Sequence, residues 1–398
     1  MHALLLLIAG LIGYGSLYPF HFAADPHWPQ EAAALLTAPL WPMGRGDLVG
    51  NVLLFAPYGL VAALSSAPQR RCYSRLGLLL ALGALLALGL QIVQLWVPGR
   101  VAALNDVIAN VAGMLLGVAI AVPAHRLMPA LARHSAGKGA GKGAGKEAGK
   151  GAANVIPSAL LPAALMLLWL GYQWFPLVPT LDLQNMVNAV KPLLRAPRID
   201  AVRALHLSLA WLAFCMLWDL STSARVRAWT MALAACAIVG AKLFITGGSV
   251  SPANAIGLAL ALACLPWRHH RFALPALTMA MVVSLFASGL TPFTPLAQAQ
   301  PFHWVPFSGM LEGSMGVNLL NLLEKCFFYG ALIVLISARG GQPLAAASLV
   351  ALCLGLIEAA QMFLPQRTAE STDPVLALLL GLVAWLARPQ APPRCVRA

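Results

Sequence analysis

The stretch from Ile357 to Val375 reads IEAAQMFLPQRTAESTDPV, and its polar positions recur near the start of the chain. The matching positions, at identical spacings, are Gln91, Gln94, Pro98, Arg100 and Asp106 in the early copy and Glu358, Gln361, Pro365, Arg367 and Asp373 in the late one. In both copies, the first two polar residues close an apolar run, and the other three lie in the short connection to the next run. Residues three and four apart share one face of a helix. The sequence therefore predicts one helix-loop-helix module used twice.

Composition sets the class of protein. The chain has 398 residues, of which 60% are hydrophobic and only 10% charged. Its apolar runs repeatedly reach the roughly 20 residues that a helix needs to cross a bilayer. Helices satisfy their own backbone groups in lipid, and the strand alternation of an outer-membrane barrel is missing. We therefore predict an all-α polytopic membrane protein with about 12 transmembrane helices, arranged as three four-helix repeats.

The repeats set the predicted domain boundaries. We predict a four-helix unit at residues 1–128, a Gly/Lys-rich cytoplasmic linker at 129–153, a degenerate four-helix unit at 154–271, a further four-helix unit at 272–390 and a cytoplasmic tail at 391–398. The middle unit keeps Lys242 and Asn254 at the spacing of Gln361 and Asp373, but Thr246-Gly247-Gly248 replaces the Pro-x-Arg turn. Its site chemistry is therefore expected to be lost or altered.

The net charge of +13 does not indicate a nucleic-acid partner, because most of the Lys and Arg residues lie in short connections between apolar runs. By the positive-inside rule, these connections place both termini in the cytoplasm and both polar modules at the outer face. The exception is a basic group on the predicted outer side, Lys191, Arg195, Arg198 and Arg203, for which an anion contact is one explanation. The cysteines and histidines show no metal-ligand spacing, so we predict neither a metal nor a cofactor.

A resemblance to a known family rests on residues of both copies. The early segment contains NVLLFAPYG at 51–59, then Gln91, Gln94, Pro98, Arg100, Asn105-Asp106 and Asn110, and it resembles the VanZ-like family of bacterial membrane proteins. The resemblance extends to residues 306–388 through Asn318, Tyr329-Gly330 and the late module, although Ala377 stands where Asn110 stands. It implies an inner-membrane location and a role in cell-envelope or surface-glycan physiology, with altered susceptibility to teicoplanin-type glycopeptides.

The polar residues that enter the spans from the predicted outer side form the candidate ligand-binding set. They are Asp47, Asn51, Gln91, Gln94, Arg100, Asp106, Asn110, Asn318, Asn321, Glu324, Lys325, Glu358, Gln361, Arg367 and Asp373. Ionisable groups within a span are costly and usually face a bundle interior or a cavity. Glu324 and Lys325 are adjacent, so they point in different directions and need separate partners. We expect Lys325 or Lys242 near Glu358, and Arg367 near Asp373.

Four interpretations of this set stay open. The groups can pair only with one another and lock the helices together. Alternatively, Arg100 and Arg367 clamp an anionic headgroup through their planar guanidinium groups, with membrane lipids, a lipid-linked saccharide or a lipoglycopeptide as the expected partner. A membrane enzyme would use Glu358 as base and Asp373 as acid on a lipid-linked saccharide. A transporter would also use repeats and buried charge.

Overall fold

The computed structural model describes residues 2–23, 28–37, 44–66, 72–98, 100, 102–136, 160–195, 199–222, 226–312 and 314–387. Its helices are α1 (His2–Leu17), α2 (Trp28–Thr37), α3 (Arg45–Ser65), α4 (Cys72–Gln94), α5 (Leu104–Ala136), α6 (Leu160–Trp174), α7 (Leu183–Leu194), α8 (Ala201–Ser221), α9 (Ala228–Gly240), α10 (Pro252–Cys264), α11 (Ala273–Leu290), α12 (Ser308–Glu312), α13 (Met315–Ser337), α14 (Pro343–Gln361) and α15 (Thr372–Leu386). Short 3₁₀ turns, Ala241–Phe244 and Leu265–His269, extend α9 and α10. The all-helical fold predicted from the sequence is confirmed.

Each of the twelve predicted apolar runs coincides with a helix, but the helices differ in length. In the described part of the chain, seven helices are long and apolar enough to cross a membrane: α3, α4, α5, α8, α11, α13 and α14. Four further apolar segments, α1, α6, α9 with its 3₁₀ turn, and α15, are shorter, and α10 has 13 residues. The remaining helices, α2, α7 and α12, lie in connections that the sequence analysis left unassigned.

The chain divides into two compact units. Unit 1 comprises Met1–Ile156, Ser308–Met315 and Gln390–Ala398, and unit 2 comprises Pro157–Phe307 and Gly316–Pro389. The predicted linker lies mostly outside the described residues, except that α5 continues through Ala136.

Close helix packing organises unit 1. Glycines on α3 and α5 let the two backbones approach, because a Cβ atom at Gly117 would lie 2.1 Å from the carbonyl oxygen of Ala56, and one at Gly113 would lie 2.3 Å from that of Val52. Small residues at this spacing are the usual means by which helices pack tightly in a bilayer. Gly113 and Gly117 therefore mark the close contact between α3 and α5.

Aromatic side chains form the centre of unit 2. Trp169 on α6 stands edge-on to Trp211 on α8, with ring centroids 5.5 Å apart, and lies 4.7 Å from the ring of Phe327 on α13. All three side chains are almost completely buried. Because α13 packs on α6 and α8 through these rings, helices of the predicted middle and late repeats share one core.

The connections after α1, α6 and α11 have the same local geometry. Each contains a cis X-Pro bond, at Tyr18-Pro19, Phe175-Pro176 and Thr291-Pro292, and the following residue has a φ of 64°, 65° or 61°. A few residues beyond each cis bond, a backbone N–H donates to another connection. The acceptors lie in the turn after α4, in the 3₁₀ turn after α9 and in the turn after α14, respectively. These hydrogen bonds are Ala23 N to Trp96 O at 2.9 Å, Thr180 N to Phe244 O at 2.8 Å and Leu296 N to Phe363 O at 2.6 Å.

Candidate functional site

A charged cavity of about 500 Å³ lies at the end of unit 2 where α8, α13 and α15 begin and where α11 and α14 end. Of the predicted site residues, it gathers Asn321, Glu324, Lys325, Glu358, Gln361, Arg367 and Asp373. Asn318 is not among its lining residues. Residues that the prediction did not include also line it, among them Arg203, His206 and Tyr329. The sequence prediction therefore found one wall of the cavity, and α8 supplies another.

One group of charged side chains in the cavity is centred on Glu324. Arg203 on α8 donates to both carboxylate oxygens of Glu324, at 2.5 and 2.9 Å, and donates to the hydroxyl oxygen of Tyr172 at 2.6 Å. His206, one turn further along α8, places Nε2 3.5 Å from Glu324 and stacks on Phe328. A bidentate guanidinium–carboxylate pair of this kind is strong and directional. Arg203 belongs to the basic group that the orientation rule left unexplained, and its ion pair with Glu324 accounts for this one member of the group.

A second group of charged side chains in the cavity is centred on Asp373 at the start of α15. Lys325 Nζ lies 2.6 Å from Asp373 Oδ1, and the Tyr329 hydroxyl donates to Asp373 Oδ2 at 2.8 Å. Lys325 and Tyr329 are four residues apart on α13, so both reach the same carboxylate. Glu324 and Lys325 have separate partners, as their adjacency requires. Arg367 lines the same cavity as Asp373, but the ion pair with Asp373 is formed by Lys325.

Arg367 instead binds the end of α11. Its Nε donates to the carbonyl oxygen of Thr291 at 3.0 Å, and its Nη2 donates to that of Ser288 at 2.9 Å. Gln361 Nε2 donates to the neighbouring carbonyl oxygen of Gly289 at 3.0 Å. The last carbonyls of a helix have no partner within it, so these side chains satisfy groups that would otherwise be unpaired.

Glu358, at the end of α14, is buried, and its Oε2 accepts a hydrogen bond from Glu370 N at 2.9 Å. Lys325, one of its two expected partners, lines the same cavity but is bonded to Asp373. Lys242, the other, is buried in the turn Ala241–Phe244 and is not among the lining residues. No ion pair to Glu358 is formed within the described ranges.

The early module in unit 1 makes the corresponding hydrogen bonds. Gln94 Nε2 donates to Ser16 O at 2.8 Å, and Arg100 Nη2 donates to Tyr18 O at 3.2 Å, so both bind the end of α1. Gln91 Oε1 accepts from Ala103 N at 2.9 Å, as Glu358 accepts from Glu370 N. The repeated spacing in the sequence therefore reflects the same structural connection. In each copy, the loop and the helix before it bind carbonyl oxygens at the end of one other helix, which is α1 in the early copy and α11 in the late one.

The carboxylate of the early module has neutral hydrogen-bond donors. Asp106 accepts from Asn51 Nδ2 at 2.9 Å and from Gln91 Nε2 at 3.4 Å, whereas Asp373 has a lysine and a tyrosine. Asp47 is exposed at the start of α3, and Asn110 is buried with an Oδ1 atom that has no hydrogen-bond partner among the described residues. The same backbone geometry thus carries two different charge patterns.

Tyr18 and Glu312 form a further contact within unit 1. The hydroxyl of Tyr18, just beyond α1, donates to Glu312 of α12. This hydrogen bond raises the pKa of Tyr18 to about 12, with smaller contributions from burial and from the negative charge of Glu312. In the part of the chain that the structure describes, no cluster of three His, Cys, Asp or Glu side chains is placed to hold a metal ion.

Apolar helices of spanning length around a charged cavity define a polytopic α-helical membrane protein. Residues 4–127 match the VanZ/LLP1 family model, so this part of the chain is a VanZ-like unit. The match covers α1 to α4 and most of α5, which includes the early module. No curated protein and no solved structure matches the chain.

Proposed function

We propose that the chain binds the polar headgroup of an envelope lipid or of a lipid-linked saccharide in the cavity of unit 2. The observation that carries this proposal is the cavity itself, about 500 Å³ in volume and lined by two ion pairs and Glu358 in a chain that is only 10% charged. Ligand pockets usually measure about 300–1,000 Å³ and contain a few converging polar groups. Burying ionisable side chains within membrane helices is costly, which favours a functional reason for their presence.

The location, orientation and physiological role of the protein belong to the same proposal. We infer a protein of the bacterial inner membrane with cytoplasmic termini, so that the cavity opens toward the outer leaflet where envelope lipids are presented. The VanZ-like unit at residues 4–127 supports our further proposal of a role in cell-envelope or surface-glycan physiology, with altered susceptibility to teicoplanin-type glycopeptides. Membrane lipids are then its immediate partners.

The proposal also keeps the three-repeat plan. Support comes from the cis X-Pro connections after α1, α6 and α11 and from the matching backbone hydrogen bonds of Ala23, Thr180 and Leu296. The turn after α9 gives further support, since Gly247 has a φ of 71° at the position where the late module has Gln366 with a φ of 59°. On this interpretation the middle repeat keeps the turn without its arginine.

An enzyme that uses Asp373 as an acid has less support. Both carboxylate oxygens of Asp373 accept hydrogen bonds, from Lys325 and from Tyr329, so both are already occupied by donors of the protein itself. Helix-locking ion pairs alone would explain Lys325 and Asp373, but they leave the cavity and Glu358 unexplained.

A blocking substitution tests the proposal. Asn321 lines the cavity from an exposed position on α13, so Asn321→Trp should fill it while preserving both ion pairs. Native mass spectrometry of the purified full chain should then show loss of co-purified lipid or lipid-linked saccharide relative to wild type.

The matched control is Leu352→Trp, because Leu352 is 62% exposed on α14 and is not a lining residue. It should retain the wild-type set of bound lipids, and cells that carry it should keep the wild-type teicoplanin susceptibility. Equal retention by Asn321→Trp, Leu352→Trp and wild type would contradict a ligand in this cavity.

A further inference from the structure

The basic side chains of the cavity are largely occupied by the protein itself. Arg203 is bonded to Glu324 through two N–H groups, and Lys325 lies 2.6 Å from Asp373. Arg367 uses two of its N–H groups on carbonyl oxygens of Ser288 and Thr291. The remaining N–H groups of Arg367 have no hydrogen-bond partner in the described part of the structure.

The acidic side chains that line the cavity do not all have a basic partner. Five carboxylates line the cavity, those of Asp200, Glu324, Glu358, Glu370 and Asp373, against three Lys or Arg side chains, Arg203, Lys325 and Arg367, and the imidazole of His206. Glu324 and Asp373 have basic partners, and Asp200 caps α8 by accepting from Arg203 N at 2.9 Å. Glu358 and Glu370 have no ion-pair partner among the described residues.

Glu358 is the most confined of these carboxylates. Its residue surface is only 4% exposed, yet it lines the cavity, and only its Oε2 atom has a hydrogen-bond partner in the described chain. A buried charge without a compensating partner is unfavourable, so a ligand that supplies positive charge or strong donors at this point gains free energy.

The early module shows that the backbone hydrogen bond does not require a carboxylate. Gln91 occupies the position of Glu358 in its module and accepts the equivalent bond, from Ala103 N, at the same 2.9 Å distance. A neutral amide therefore fastens the turn equally well. The presence of a carboxyl group at Glu358, where the early module has an amide, is left to be explained by what the cavity binds.

We propose that Glu358 binds a primary ammonium group, so that the ligand is a phosphoethanolamine-type headgroup rather than a purely anionic one. The ammonium lies against Glu358, and Arg367, which lines the same cavity, offers its unpartnered N–H groups to the phosphate. This inference rests on the proposed function and narrows its ligand class. The same headgroup chemistry occurs in ethanolamine phospholipids and in soluble phosphoethanolamine.

Competition between lipids in native mass spectrometry tests the inference. The purified full chain is mixed with equal amounts of phosphatidylethanolamine, phosphatidylglycerol and N-acetylated phosphatidylethanolamine with identical acyl chains. Wild type should favour phosphatidylethanolamine about tenfold over the other two, which corresponds to about 1.4 kcal/mol. Displacement by soluble phosphoethanolamine would show that the headgroup suffices, whereas retention against it would assign the site to the lipid.

The matched pair of variants is Glu358→Gln and Asp182→Asn. Glu358→Gln keeps the acceptor for Glu370 N, as Gln91 does in the early module, and should reduce the preference to about onefold. Asp182→Asn removes a carboxylate that caps α7 outside the cavity, keeps a capping side chain, and should leave the preference unchanged.

Two outcomes separate this inference from the proposed function. Loss of lipid retention in Asn321→Trp shows that the cavity binds a ligand. If wild type then shows no preference for phosphatidylethanolamine, or if Glu358→Gln keeps that preference, the ammonium assignment is wrong. If Asn321→Trp retains all bound lipid, the proposed function itself fails. The comparison with N-acetylated lipid needs no variant, so it decides the question even if Glu358→Gln does not fold.

Discussion

At the scale of single residues, the two modules show why identical spacing does not imply identical chemistry. The pairs Gln94 with Gln361 and Arg100 with Arg367 make equivalent bonds to the ends of α1 and α11. The shared spacing therefore corresponds to a shared structural contact between each module and the end of a helix. Where the modules differ in charge, at Gln91 and Glu358, the difference falls on a residue that lines the cavity of unit 2.

Arg367 therefore has a predictable structural contribution. Arg367→Ala removes two hydrogen bonds from a charged donor and leaves the carbonyl oxygens of Ser288 and Thr291 without that donor. We expect a loss of about 1–3 kcal/mol in the free energy of unfolding, seen as a lower midpoint in thermal unfolding in detergent.

The control for this prediction is Arg195→Ala, because Arg195 is exposed and does not line the cavity. Its unfolding midpoint should match wild type. Should Arg367→Ala unfold like wild type, the guanidinium bonds to α11 contribute no stability. If Arg367→Ala and Glu358→Gln both lose only stability and keep all lipid binding, the ion-pair-lock interpretation is the correct one.

At the scale of helices, sequence periodicity identified the apolar runs but not how closely they pack. The contact between α3 and α5 depends on glycines whose missing Cβ atoms leave room for a neighbouring backbone. The connections were harder to predict, because α2, α7 and α12 are short and their hydrophobic content is lower than that of the spans. Asp182 is the clearest local signal among them, since its side chain accepts from Gln184 N at the start of α7.

Gly117→Ala tests the α3–α5 contact. The new Cβ atom would lie 2.1 Å from the Ala56 carbonyl oxygen, so the helices must separate. We expect overpacking to cost about 1–3 kcal/mol in the free energy of unfolding, measured by thermal unfolding of the full chain. Gly77→Ala on α4 is the control, because a Cβ atom there meets nothing within 4 Å and should be neutral or slightly stabilising. Equal midpoints for the two variants would show that the close contact is absent.

At the scale of the whole molecule, the orientation in the bilayer decides which leaflet the cavity of unit 2 can serve. The positive-inside rule places the connection at Arg339 in the cytoplasm and the turn containing Thr368 outside. Both residues are exposed, and Thr368 lines the cavity.

Added cysteines test this orientation against the labelling of the parent chain. In intact cells with a permeable outer barrier, a membrane-impermeant maleimide should label Thr368→Cys, while Arg339→Cys should react only after the inner membrane is opened. The reverse pattern would place the cavity on the cytoplasmic side, which is incompatible with a ligand from the outer leaflet.

The sequence alone determined the helical membrane class, the twelve apolar runs, the duplicated module and most of the residues on one wall of the cavity. These follow from composition and from spacing along the chain, which are local properties. It did not determine that Arg203 pairs with Glu324, 121 residues away, or that Arg367 binds the end of α11 while Lys325 takes Asp373. Only the tertiary structure decides such partners, because the packing of distant helices sets which donors reach a given carboxylate.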